Sequence, residues 1–211
     1  MASSRHALTS PPLALRHEFV RKALHLSAGV FPVVYAIGAS RDTLETVLAV
    51  ISALAILTEG LRRANATVGA AFERVFGSLT RRHERRSITG ATWLALSCLV
   101  AVVVLSRRAA IAGLWCATVG DPAATIAGRV WTTRAAAKSG AKSGAKGGKT
   151  IVGSLACAVV SFLGVWMLAG YPPATAVVIA AAAAAAEAMP MRIDDNVRVT
   201  TLAGAIAQLL A

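Results

Sequence analysis

Lys149 stands in the run Gly147-Gly148-Lys149-Thr150, and Gly153-Ser154 follow it. A helix opening at this point presents unpaired N–H groups and the positive end of its dipole, where anions bind. The lysine adds charge, and glycine lets a ligand come close to the backbone. The segment reads as a phosphate-binding helix start, with Gly148, Lys149, Thr150, Gly153 and Ser154 as candidates. It is not a Walker A loop, because Ser143 occupies the place of that pattern's first glycine and no strand precedes it.

Two carboxylates, Asp121 and Glu187, lie a few residues inside apolar stretches. A charge at the centre of a membrane helix costs about 2.5–3.5 kcal/mol on insertion scales, so such residues point to function. Gly120 and Pro122 flank Asp121 and predict a local break, of the kind that lines a cavity. Gly120, Ala124 and Gly128 recur at four-residue spacing and predict a face that packs closely on a neighbouring helix.

Asp194-Asp195-Asn196 forms an oxygen-rich cluster after Pro190. Hard oxygen donors suit Mg²⁺ or another divalent cation, commonly shared with substrate phosphates. The same residue types also cap helices. Glu18, Arg21, Lys22 and His25 fall on one helix face, with His25 a turn deeper than the basic pair. Glu59 precedes Arg62 and Arg63 at helical pair spacing. His83-Glu84 lie in an arginine-rich stretch just before Thr89-Gly90-Ala91-Thr92.

The elements that must position these groups are helices. Apolar stretches of roughly 17–25 residues mark membrane spans, and none shows strand periodicity. They predict an all-α, polytopic membrane bundle of about seven helices, near 22–39, 43–61, 88–106, 109–127, 150–169, 172–189 and 197–211. Between the second and third, Val68, Ala71, Phe72, Val75, Phe76 and Leu79 have the spacing of an interfacial amphipathic helix within a polar loop at 62–87. A basic loop at 129–149 contains a Lys-Ser-Gly-Ala repeat and is expected to be flexible. Residues 1–15 read as a disordered tail, and 16–211 as one transmembrane domain.

With the N-terminus placed in the cytoplasm, nineteen of the 22 Lys and Arg residues fall on that side, and Arg41, Arg107 and Arg108 on the other. The bias follows the positive-inside rule and places the chain in the cell (inner) membrane. Eight of the ten acids fall on the same side, Asp42 and Glu45 being the others. Acids contribute little to that rule, so their clustering points instead to a shared polar site.

Composition agrees. Of 211 residues 56% are hydrophobic and 15% charged, with a mean hydropathy of +0.63, against about 25% charged in a typical soluble domain. The net charge of +12 is explained by cytoplasmic loops and anionic headgroups. Aromatics do not interleave with the basic runs, which argues against nucleic acid as a partner. Cys98, Cys116 and Cys157 lie in apolar stretches without metal-ligand spacing and read as small buried hydrophobes. The first 15 residues show no secretory signal, so insertion is expected to start from the first span. The oligomeric state has no signature in the sequence.

Arg21-Lys22-x-x-His25, Glu59 with Arg62, His83-Glu84 followed by Thr89-Gly90-Ala91-Thr92, Gly120-Asp121-x-x-Ala124-x-x-x-Gly128, Gly148-Lys149-Thr150-x-x-Gly153-Ser154, and Glu187-x-x-Pro190 with Asp194-Asp195-Asn196 run in order along residues 20–200. In this series the chain resembles the dolichol kinase, phytol kinase and CTP-dependent diacylglycerol kinase family, whose bacterial members are often labelled polyprenol kinase or phosphatidate cytidylyltransferase-like. It departs from the family pattern after Gly128, where Arg129-Val130-Trp131 stand, and after Asn196, where Val199 and Thr200 stand. The resemblance implies a CTP-dependent kinase of a membrane alcohol, an isoprenoid alcohol or diacylglycerol, that uses a divalent metal. On that expectation Asp121, Lys149 and Glu187 are catalytic. Gly120 joins residues 148–154 at the nucleotide, and Asp121, Asp194, Asp195 and Asn196 hold the metal. Arg21, Lys22, His25, Glu59, Arg62, His83, Glu84 and Thr89 complete the site. A phosphatidate cytidylyltransferase and a small transporter are the alternatives.

Overall fold

The computed structural model describes residues 20–77, 79–80, 84, 87–139, 149–191 and 193–211. The expected tail at 1–15, Glu18, His83 and Gly148 lie outside the described residues. What is described is all-helical, with no strand. Helix α1 covers 20–27. It is followed by α2 (Val30–Ile37), α3 (Arg41–Ala64), α4 (Ala66–Phe76), α5 (Gly90–Val104) and α6 (Arg107–Trp115), which runs through a π turn (Cys116–Gly120) into α7 (Asp121–Ser139). Helices α8 (Ile151–Met167), α9 (Pro173–Ala188) and α10 (Asp195–Leu209) complete the chain.

Each apolar stretch became helical close to its expected bounds, with three differences. The first stretch is split by a turn at 28–29 into α1 and α2. The loop at 129–149 is helical as far as Ser139, because α7 continues through it. The backbone at Asp121 is not broken. The π turn widens the helix there, and the Asp121 N–H bonds to Cys116 O. Proline at 122 has no N–H to give, and its ring crowds the carbonyl four residues back in a regular helix. One turn of π geometry absorbs both effects, as π-bulges often do at functional positions.

The bundle has two ends, and the passes alternate between them. At one end Arg41 pairs with Glu45 at 2.6 Å and reaches the Val103 carbonyl. Beside it Arg107 stacks on Tyr35 and donates to its carbonyl, while Arg108 stacks on Tyr171 and donates to the carbonyls of Ala169 and Gly170. These arginines hold the short connections at that end. At the opposite end lie the starts of α5, α8 and α10 and the ends of α3 and α9.

Helix α6 forms the centre, with Ala109 to Leu114 all buried, and α10 packs along it. Alanine and glycine dominate these faces, so backbones approach closely. Two helices, Arg41–Ala64 and Arg107–Ala135, are long and apolar enough to cross a membrane. In their most apolar stretches 22% of α3 is buried against 72% of the α6–α7 helix, so α3 is peripheral and α6–α7 central. Helices α5, α8 and α9 are apolar but shorter, and α10 has 15 residues.

Asn65 sits between α3 and α4 and sets the angle of α4. It closes α3 in an extended conformation, and its side-chain oxygen accepts from the N–H groups of Thr67 at 2.9 Å and Val68 at 3.2 Å. A cap of this kind contributes about 1 kcal/mol. Asn65→Ala is expected to speed amide exchange across 66–76 while protection of the α6–α10 core stays unchanged. Unchanged exchange over 66–76 would show that the cap does not hold α4.

Candidate functional site

Polar side chains from seven helices meet at the end that holds the starts of α5, α8 and α10. The deepest contact joins α1 to α7, where Lys22 Nζ donates to Asp121 Oδ2 at 2.5 Å with both residues buried. Their separation of 99 residues makes this a tertiary pair rather than a local one. His25, one turn along α1, bonds through Nε2 to Ala117 O at 3.0 Å. A carbonyl only accepts, so Nε2 carries the proton. The accepting carbonyl belongs to the π turn, which thus serves both His25 and Asp121.

A second group surrounds Lys149 at the mouth of α8. Its ammonium donates to Glu187 Oε1 at 2.6 Å and lies 3.4 Å from Asp195 Oδ2. Asp195 also pairs with Arg198 one turn along α10. Burial draws the Lys149 pKa down, but the Glu187 hydrogen bond and the charges of Asp195, Glu187 and Asp121 outweigh it and hold the group above its ordinary value. Lys149 and Asp121 therefore belong to one electrostatic cluster. A lysine raised in this way keeps its charge at all pH values below the ordinary 10.5. Its stabilising contribution is complete below that value and is lost only as pH climbs through the raised one.

The third group ties α3 to the start of α5. Glu59 is buried and accepts from Arg62 at 2.6 Å, Arg63 at 3.1 Å, the Thr89 N–H at 2.8 Å and the Thr92 hydroxyl at 3.3 Å. Arg62 also donates to the carbonyls of Glu84 and Ser87 and lies over the Phe72 ring, which fastens α4 to this corner. Glu84 Oε1 reaches the Gly90 N–H at 3.4 Å. Asn196 joins the second and third groups. It follows Asp195 in the chain, and its Nδ2 donates to Gly90 O at 3.0 Å.

The structure thus brings together Lys22, His25, Asp121, Lys149, Glu187, Asp195, Asn196, Glu59, Arg62, Glu84 and Thr89. Arg21 lines the groove described below. Asp194 Oδ1 accepts from the Asn196 N–H at 2.9 Å, the capping role open to it from its type. Three nucleotide candidates have other work. Thr150 Oγ1 caps α8 by accepting from the Gly153 N–H at 3.0 Å. A side chain on Gly153 would lie 2.7 Å from Ala124 O, and one on Gly120 2.4 Å from Ser161 Oγ, so both glycines serve helix packing. Ser154 is half-buried on α8, its N–H bonded to Thr150 O. Among the described residues no set of three or more His, Cys, Asp and Glu side chains is gathered as metal ligands.

Arg198 and Thr92 are the residues that sequence reasoning missed. The spacing of Arg198 three residues after Asp195 is visible in the sequence, where the arginine reads only as one of the nineteen cations of the cytoplasmic side, in the segment 190–198. It is buried, and among the described residues its Nε and Nη1 have no hydrogen-bond partner, as is also true of Asn196 Oδ1. Leaving such a group unpaired costs about 1–3 kcal/mol.

Between α1, α3, α4 and the start of α5 lies a groove of about 430 Å³. Leu24, Phe72, Phe76, Leu79 and Leu94 form its apolar walls, while Arg21, His25, Glu59, Glu84, Thr89 and Asn196 supply polar lining.

No protein-family model, curated protein or solved structure is significantly similar to the chain.

Removing one partner of a buried ion pair strands the other, at about 3–5 kcal/mol. Lys22→Met is expected to lower unfolding stability in mild detergent by that amount, and the double variant Lys22→Met/Asp121→Leu to recover more than half of the loss. Additive losses in the double-mutant cycle would show that the two groups do not interact.

Proposed function

We propose that the chain is an integral membrane enzyme that transfers the γ-phosphoryl group of CTP to a lipid alcohol at the cytoplasmic face. The observation that carries this reading is the meeting of Lys149, Glu187, Asp195, Arg198, Asp121 and Lys22 at one end of an otherwise apolar bundle. Charges so placed are costly, and a substrate with matching charge accounts for their retention.

Outward-facing apolar side chains support the membrane setting. Val47, Val50, Leu54 and Leu57 on α3 and Val159, Leu163 and Trp166 on α8 are exposed, a larger apolar surface than soluble proteins leave uncovered. A pass of 15 residues, as in α5 and α10, measures about 22 Å. That is shorter than a hydrocarbon core of about 30 Å, and local thinning of the bilayer accommodates such helices. The excess of basic residues on the loops assigned to this end supports a cytoplasmic orientation, where nucleotides are available.

In the proposed reaction the acceptor oxygen bonds to the γ-phosphorus as the bond to the leaving CDP oxygen breaks. The hydroxyl proton passes to Asp121, which Lys22 holds in place. Lys149 takes the phosphate charge, Glu187 fixes its ammonium, and the buried guanidinium of Arg198, held by Asp195, adds positive charge nearby. Asp195 and the neighbouring Asp194 would supply the hard carboxylate oxygens that suit Mg²⁺, which usually takes one or two carboxylates and the substrate phosphates as ligands. The metal's contribution is to neutralise charge on the phosphates. Thr150 caps α8, and the start of that helix, directly after Lys149, adds the positive end of its dipole.

Purified protein given lipid alcohols and CTP should move label from the γ-phosphate into lipid and leave α-phosphate label in CDP. Entry of α-label into lipid would identify a cytidylyltransferase instead. Lys149→Ala and Asp121→Asn should each lower kcat/KM by roughly 100-fold or more, the loss typical of removing a group that stabilises charge in the transition state. Near wild-type rates in either variant would refute the assignment.

Because Lys149 stays charged through neutral and mildly alkaline pH, Lys149→Arg should leave the shape of the pH–rate profile unchanged there, whatever it does to the rate. A wild-type alkaline limb that disappears in this variant would show that Lys149 titrates in the working range.

A further inference from the structure

The groove between α1, α3, α4 and α5 adjoins the phosphate-binding end at His25, beside Lys22 and the π turn, and at Asn196. Its backbone neighbour Asp195 faces Lys149, while its own side chain lines the groove. The orientation of the amide is set by its surroundings. Nδ2 donates to Gly90 O at 3.0 Å, and the reverse orientation would set two oxygens against each other. The side-chain oxygen is therefore Oδ1, which is buried and accepts no hydrogen bond. What it lacks is a donor. An alcohol carries one, whereas an ionised lipid phosphate carries only acceptors at the corresponding place.

The remaining lining agrees with a neutral, single-hydroxyl head. Two buried carboxylates, Glu59 and Glu84, lie within it against one cation, Arg21, and the lysines of the phosphate end, Lys22 and Lys149, are not part of it. The walls that lead away from Asn196 are apolar. Two of their aromatic rings, Phe72 and Phe76, come from α4, with centroids 5.2 Å apart. Helix α4 leaves none of its residues fully buried, so it forms an outer wall rather than part of the core. A volume of about 430 Å³ suits a small ligand. It accommodates the head and the first carbons of a long chain, the rest of which must leave past α4.

We propose that this groove is the acceptor site, that it takes a long-chain alcohol in preference to a lipid phosphate, and that without nucleotide Asn196 Oδ1 accepts a hydrogen bond from the alcohol's hydroxyl, a bond given up when that proton passes to Asp121 in the transfer. The oxygen is covered in the present arrangement, so entry requires a small shift of the lining, of which α4 is the least buried element. The inference rests on the lipid kinase reading for its chemistry, but the placement of the alcohol is independent of any nucleotide.

The test uses the full chain in lipid nanodiscs without nucleotide. A long-chain primary alcohol carrying a diazirine a few carbons from its hydroxyl is photolysed, and the labelled peptides are mapped. Label is expected on residues 55–94, reduced at least fivefold by excess unlabelled alcohol and little by the same mole fraction of phosphatidate. Label on the second groove, at Val119, Trp131 and Val160 between α7 and α8, would overturn the placement. Equal competition by phosphatidate would overturn the preference for an alcohol. Asn196→Ala should weaken labelling by about five- to tenfold, the effect of one lost hydrogen bond. Ala55→Trp should fill the groove and abolish labelling, with elution and helicity confirming that it folds. Retained labelling in folded Ala55→Trp contradicts the proposal. Labelling at 55–94 in a protein that transfers no phosphate would remove the kinase reading and leave the groove standing. Transfer without such labelling would do the reverse.

Discussion

A carboxylate among apolar helices must be answered by a cation, and Asp121 is answered by Lys22 at 2.5 Å across 99 residues of chain. That pair determines where α1 meets α7, and with it the position of His25 against the π turn. The same requirement recurs at Glu59 with Arg62 and at Glu187 with Lys149. Buried pairs add little net stability compared with apolar replacements, since desolvation offsets most of their attraction. Their effect here is geometric, because each can be satisfied in only one arrangement of helices. All of them lie at the same end.

The two halves of the proposed reaction are joined by the first turn of α10. Asp194 caps the helix, Asp195 faces Lys149 and Arg198, and Asn196 turns to the groove and to Gly90. Three consecutive residues thus address three different neighbours, as a helix start allows when its side chains fan out by 100° each. The arrangement couples an apolar compartment to a charged one without placing either along the path of the other. The closing end of the bundle, by contrast, uses arginine stacked on tyrosine and bonded to carbonyls. That chemistry fixes loops and leaves no carboxylate cluster behind.

Much of this was legible from residue order. Helix positions followed from apolar stretches between charged boundaries, and α4 from the spacing of Phe72 and Phe76. Sorting charges by loop separated the two ends of the bundle, since Arg41, Arg107 and Arg108 do meet apart from the rest. Other features depend on contacts that no local pattern reports. Pro122 next to Gly120 suggested a break, yet a helix can absorb proline by widening one turn when neighbours use the freed carbonyl, as His25 does. The spacing of Gly120 predicted close packing, and it does pack on α8, whereas Gly153 looked like room for a ligand and proved to be room for another helix. Arg198 was counted as a loop cation because the burial of its guanidinium is a property of packing. The mean polarity of 129–139 concealed that α7 continues through it.

The central claim is that Asp121, Lys149 and Asp195 face one aqueous compartment at one end of the bundle. Side-specific labelling tests it directly. The buried cysteines, Cys98, Cys116 and Cys157, are replaced, and single cysteines are placed at 41, 149 and 195 in membrane vesicles of known orientation. A membrane-impermeant maleimide should modify positions 149 and 195 from the cytoplasmic side, with added CTP slowing both, and position 41 from the opposite side. Modification of 149 and 195 from different sides, or of 41 from the same side as 149, would contradict the account.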